Sequence, residues 1–161
     1  MEPMGEASGQ PVDGTHQESL KGHPRPADDT HMTHVDVSMR HLIDHVVDQV
    51  PGVFGALVGS ADGRVLASRI TRNTGFDAAS IAAMSAAVLG LSNRLVQLTG
   101  EAPASFSHQR SNDGQVFVFG ISTVAVLTVL TDSTAVPTQI QMVGQDVGRS
   151  LERMFRSAAN A

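Results

Sequence analysis

The chain has 161 residues, enough for one domain with a proper core and too few for two ordinary ones. Its net charge of −5, from 11 Lys and Arg against 16 Asp and Glu, excludes the clustered positive surface that nucleic-acid binding needs, and its only lysine is Lys21. With 41% hydrophobic residues and no cysteine it has the composition of a soluble globular protein without a disulfide framework, a thiolate metal site or a thiol nucleophile.

Residues 1–33 are rich in Gly, Pro, Ser, His and acids, with apolar residues too isolated to form a face. Such a segment cannot bury enough surface to offset the entropy of ordering, so a disordered N-terminal tail is expected. Its histidines His16, His23 and His31, with His34 just beyond, are irregularly spaced and lack the partners that complete a metal set. No apolar h-region opens the chain, and no apolar run approaches the roughly 20 residues of a membrane span. The expectation is a cytoplasmic protein without membrane insertion.

From Asp36 to Val50, Met39, Leu42, Ile43, Val46, Val47 and Val50 fall on one helical stripe, with Asp36, Arg40, His41, Asp44, His45 and Asp48 on the remainder. This amphipathic helix ends at Pro51-Gly52. His41 and His45 stand four apart on a polar face, a spacing that can hold zinc; without the Glu that follows the first His of a metalloprotease helix, it reads as a solvated face. Two β-type runs follow, Val53 to Gly59 and Arg64 to Ile70, around an Asp62-Gly63 turn that favours positive φ. Gly52, Gly55 and Gly59 form no phosphate loop, because no Gly-Lys-Ser/Thr follows; they suit close approach of a helix over the strand.

Phe76 to Thr99 is a helix pattern with almost no charged face, closed by Gly100. Ile81, Met84, Val88, Leu91, Leu95 and Leu98 recur at spacings of three and four, forming an aliphatic seam expected to lie on a sheet. On the other side are Ala79, Ala82, Ala83, Ala86, Ala87 and Gly90, where a monomer's surface helix would carry Lys, Glu and Arg. An alanine-rich core helix covered by its own chain is the bland alternative. The preferred expectation is that this small-residue face meets a second copy, where Ala and Gly allow two helices to approach closely.

Pro103 to Gln109 is polar and alternating, as in an edge strand. Ser111-Asn112-Asp113-Gly114 repeats the hairpin chemistry, and Gln115 to Ile121 and Val124 to Thr131 are nearly continuous apolar strands, covered on both faces. Pro137 suits the first turn of a third amphipathic helix, through Ile140, Val143, Val147, Leu151 and Met154 to about Arg156. Gly144 and Gly148 would let it pack tightly. The predicted fold class is α+β, ordered α-β-β-α-β-β-β-α, with a five-stranded antiparallel sheet of spatial order 2-1-5-4-3. The third strand is then an edge beside the central helix, so Ser105, Phe106 and Ser107 join the expected dimer interface.

The succession VPGVFGALVGSADGRVLAS, small-residue helix, QVFVFGIS and VAVLTVLTD resembles the roadblock family, and above all its short bacterial members with a helix, Val-Pro-Gly-Val and a Ser-x-Asp-Gly hairpin. The resemblance covers roughly Met39 to Phe155, within a roadblock-like domain taken as 34–157 with a short C-terminal tail at 158–161. It implies a roadblock/profilin-like, homodimeric or heterodimeric adaptor that binds small Ras-like GTPases, in some bacterial members as a GTPase-activating protein. In actinobacterial forms it also implies a signalling unit that includes a sensor histidine kinase. No cofactor and no enzyme active site are expected. His108 is the only histidine in the sheet region, and Ser105 and Ser107 lie on the strand face opposite it, so no Ser/His/Asp set forms. If GTP hydrolysis is stimulated, positioning of the GTPase's own catalytic residues is the expected mechanism, and Arg72, Arg94 and Arg110 are the candidate partner-binding cations. The alternatives are a small-molecule sensor domain, argued from fold analogy, and a structural scaffold.

Overall fold

The apolar stripe of the first helix, α1 (His34–Gln49), lays Met39, Ile43, Val46 and Val47 against the sheet, and the Pro51-Gly52 turn, with Gly52 at φ 81°, feeds the chain into β1 (Val53–Ser60). In this computed structural model the described residues are 34–72, 75, 77–103 and 105–160. The expected disordered tail, with His16, His23 and His31, lies outside them, as does the Phe76 that opens the central helix pattern.

Asp62-Gly63 turns β1 into β2 (Val65–Ile70), with Gly63 at φ 86°. The Ser60 hydroxyl bonds the Asp62 carboxylate and accepts from the Arg64 N–H at 3.1 Å. That first contact, the largest cause, holds the Asp62 carboxyl below its ordinary value. α2 (Ala78–Gln97) leads to β3 (Phe106–Arg110), β4 (Gly114–Ile121), β5 (Ala125–Asp132) and α3 (Pro137–Ala159). The sheet is antiparallel throughout, in the order β2-β1-β5-β4-β3. Both fold class and strand order match the expectation. α3 runs to Ala159, past the expected end near Arg156.

The second hairpin works differently from the first. Gly114 has no positive φ; the Ser111 hydroxyl shapes the turn by accepting from Gly114 N–H at 3.2 Å, and a Cβ on Gly114 would sit 2.6 Å from the Thr131 carbonyl oxygen. Close approach of two backbones, and not a left-handed turn, requires that glycine.

α1 and α3 cover one face of the sheet over Phe117, Phe119, Ile121, Leu127 and Val129, and α2 crosses the other face, meeting all five strands. α1 is also pinned to the β2 edge by Arg69, whose guanidinium bonds Asp48 at 2.7 and 2.8 Å and Asp44 at 3.1 Å. These carboxylates, Asp48 first, raise the Arg69 pKa, and they are the same acids that a His41/His45 metal site would have needed. Under α3, Gly144 rests on the Phe119 ring, where a Cβ would come within 2.2 Å of Cζ. The glycine expected to permit tight packing does so.

Candidate interaction surface

α2 begins with a side-chain cap, the Asp77 carboxylate accepting from Ala79 N–H at 3.1 Å, and is released by Gly100 at φ 76°. Between these ends it lies close to the sheet because both surfaces are small. A Cβ on Gly59 would stand 3.3 Å from the Ala82 Cβ, one on Gly63 2.9 Å from the Ala83 Cα, and one on Gly120 3.0 Å from a Leu89 methyl. Ala82, Ser85 and Leu89 are therefore the buried residues of the helix.

This differs in part from the orientation expected from sequence. The aliphatic seam is not laid on the sheet: Met84 is 67% exposed, Leu91 70%, Leu95 67% and Leu98 81%, while Ile81 and Val88 are half-buried. Of the small residues assigned to a partner, Ala82 is 1% exposed and packed on β1, and Ala86 is half-buried over the sheet; Ala79, Ala83, Ala87 and Gly90 are exposed. Large side chains on the inner face would have held the helix off strands whose glycines leave room for a close approach. The outward face of α2 is thus a ridge of Met84, Leu91, Leu95 and Leu98 with small residues beside it, and Arg94 is its one charge.

At the sheet margin β3 pairs with β4 alone among the described residues, which leave its other edge open. Ser105 is exposed and Ser107 half-buried, but Phe106 turns its ring away from α2, 5.0 Å from Phe119 and 6.2 Å from Phe117 between centroids. Phe106, expected at the dimer interface as part of the edge strand, packs its ring into the core beneath α1 and α3, which leaves its backbone on the β3 edge. Beside it His108 stacks on Phe117 at 4.2 Å and 10°. Its Nε2–H donates to Gln115 Oε1 at 2.9 Å, because the Gln115 amide nitrogen is spent on the Ala135 carbonyl at 3.0 Å. The histidine is thereby structural, and the hydroxyl of Ser107 accepts instead from Gln109 at 2.6 Å.

The three candidate cations do not converge. Arg72 is answered within the fold, 3.0 Å from Asp132 and 4.6 Å over the Phe54 ring. Asp132 also accepts from the Thr134 hydroxyl at 2.5 Å and the Thr134 N–H at 2.9 Å, which with Arg72 hold its carboxyl below the ordinary value. Arg110 ends β3 at the same end of the sheet, two strands beyond the β5 that carries Asp132, and shares no partner with Arg72 among the described residues. Arg94 stands apart on α2, and among the described residues neither it nor Arg110 makes an ion pair.

Among the described residues no three His, Cys, Asp or Glu side chains gather to hold a metal. Contrary to the expectation that nothing approaches a membrane span, α2 is long and apolar enough to cross one by length and composition. Here its inner face is taken up by the five strands. Sequence reasoning did not identify the outward ridge, yet a signal was present: Gly59, Gly63 and Gly120 recur in the strands and turns that α2 crosses, and glycines there call for a small-residue helix face.

The profile of the Roadblock/LC7 domain matches residues 40–131. No curated protein sequence matches the chain. Among solved structures, an MglB described with a tetrameric arrangement superposes with a TM-score of 0.73 at 19% identity, over 78% of this chain and 93% of its own. MglB of Myxococcus xanthus gives 0.70 at 14% identity, over 78% and 92%, and a Roadblock/LC7 domain from Streptomyces avermitilis 0.66 at 17%, over 73% and 97%. At these identities the likeness is one of fold.

Proposed function

The chain belongs to the Roadblock/LC7 domain family, and from that premise we propose that it is a non-enzymatic, homodimeric adaptor of the cytoplasm that binds a small Ras-like GTPase and adjusts its nucleotide state. The observation that carries the dimer is the α2 ridge. Four large apolar side chains in one row, each at least two-thirds exposed, form a surface that a protein in water covers with another apolar surface. A second copy supplies a self-complementary one across a two-fold axis, and the open β3 edge beside α2 allows the sheet to continue into it. This assigns the interface to Met84, Leu91, Leu95 and Leu98 with Ala79, Ala83, Ala87, Gly90 and the β3 backbone near Ser105 and Ser107.

The GTPase comes from the family resemblance and from the neighbouring MglB folds. Of the three candidate cations, Arg94 and Arg110 have no ion-pair partner among the described residues and are the two retained for it. With no cluster of catalytic groups described, stimulation of hydrolysis would proceed by positioning the GTPase's own residues. A sensor histidine kinase is the further partner proposed for the same signalling unit.

The reading is tested with the small Ras-like GTPase retained from the protein's own cells, loaded with GDP or a non-hydrolysable GTP analogue. Nucleotide-dependent binding of the purified chains supports an adaptor, and faster single-turnover hydrolysis an activating protein. Equal failure to bind in both nucleotide states overturns the proposal.

A further inference from the structure

On the side of the sheet away from α2, α1 and α3 run beside one another and leave an open groove of about 600 Å³ between them. Its floor is apolar, formed by Val37, Leu42 and Met154, and Leu42 and Met154 are packed onto the core beneath. Its rim carries His41 from α1 and Arg153 from α3, and among the described residues no carboxylate lines it. Along α3, Arg149 and Arg156 are paired with Asp146 and Glu152, whereas among the described residues Arg153 reaches only the Ser150 hydroxyl, at 3.2 Å. An apolar trough with one unanswered guanidinium on its lip calls for an occupant that is apolar below and acidic at the side.

The shape restricts the occupant further. The groove follows α3 from Ser150 to Ser157, about 10 Å or two helical turns. Neither wall offers a strand edge, so an extended peptide would leave its backbone N–H and C=O groups unpaired there, while a helix satisfies its own. The geometry points to this groove as the docking site of a short amphipathic helix from a partner protein, with aliphatic residues at spacings of three and four in the trough and an Asp or Glu on Arg153. The site is independent of the α2 ridge and stays open when that ridge is covered, so it stands or falls separately from the GTPase reading.

The test uses the full chain against a displayed library of 12-residue helical peptides, with the selected peptides then measured by fluorescence anisotropy. The selected sequences should carry the aliphatic spacing with flanking acids, and Arg153→Glu or Val37→Asp should weaken them about tenfold or more, while Leu91→Glu leaves them unchanged. Exchanging the peptide acids for Lys should reverse the preference, so that the Arg153→Glu chain is bound better than the native one. Both chain variants lie on exposed helix positions, and circular dichroism of each is the check that it is folded. Failure to select any peptide, peptides without acids, or affinities unmoved by Arg153→Glu and Val37→Asp would overturn the assignment. Competition by rising concentrations of the chain itself would also overturn it, because the occupant would then be a second copy.

Discussion

Replacing Leu91 by Glu should dissolve the dimer without unfolding the protomer, and the size of the effect follows from exposure. Full burial of a Leu or Met side chain is worth about 1.5–3 kcal/mol. With two-thirds to four-fifths of Met84, Leu91, Leu95 and Leu98 still in water, covering each would gain about 1–2 kcal/mol. A two-fold pair covers eight such side chains for a gross gain of about 8–16 kcal/mol, of the same order as the roughly 4–15 kcal/mol cost of association. The margin is narrow, so a single position matters. Leu91→Glu acts in both protomers, forfeits about 2–4 kcal/mol and adds two carboxylates to an apolar seam, which raises the dimer Kd by at least about 30-fold. Sedimentation velocity over a concentration series reads this directly, with Met142→Glu, an equally exposed methionine on α3, as the control. Wild type and Met142→Glu should dimerise alike and Leu91→Glu should sediment as a folded monomer. A Leu91→Glu chain with the wild-type Kd would refute the ridge as the interface.

Two glycines of similar helical setting should respond with opposite sign. Gly144→Ala drives a Cβ to within 2.2 Å of the rigid Phe119 ring and should lower stability by about 1–3 kcal/mol, whereas Gly90→Ala, with nothing within 4 Å in the protomer, should raise it by about 0.5–1 kcal/mol in urea unfolding, both measured in the Leu91→Glu monomer. Thr128 is wholly buried and its hydroxyl has no partner among the described residues, so Thr128→Val should stabilise by about 1 kcal/mol, read as an increased urea midpoint. The Asp132 carboxyl is held below its ordinary value by Thr134 first and Arg72 after, so the folded state binds fewer protons than the unfolded. Its contribution is present at neutral pH and is lost as pH falls from about 4 through the lowered folded value. Asp132→Asn should therefore destabilise at pH 7 and differ least from wild type near pH 2, by urea midpoints at the two pH values.

The strands, their order and the three helices were legible because each rests on a local pattern with one reading. Asp62-Gly63 needs a turn, Pro137 opens a helix, and the continuous apolar runs of β4 and β5 need cover on both faces. The roll of α2 about its axis was not legible in this way. Periodicity divides a helix into faces, and when one is aliphatic and the other alanine, neither is polar enough to mark the outside. The answer lay in other segments, in Gly59, Gly63 and Gly120, which set how near the helix could come. Phe106 misled for a related reason. Alternation says that it and Ser107 point to opposite faces of β3, but which of the two faces α2 depends on the register with β4, where Phe106 stands opposite Phe119. Arg72 looked free because Asp132, its partner, is 60 residues away in sequence.

Single-turnover GTP hydrolysis by the cognate small GTPase, with and without a two-fold molar excess of this chain, probes the central claim most directly when paired with binding in both nucleotide states. The account predicts tighter retention of one nucleotide state, with hydrolysis accelerated if the chain is an activator, and loss of that effect in a Leu91→Glu monomer if the site is shared across the two-fold axis. Equal, negligible retention of the GDP and GTP-analogue forms, with an unchanged hydrolysis rate, would contradict it.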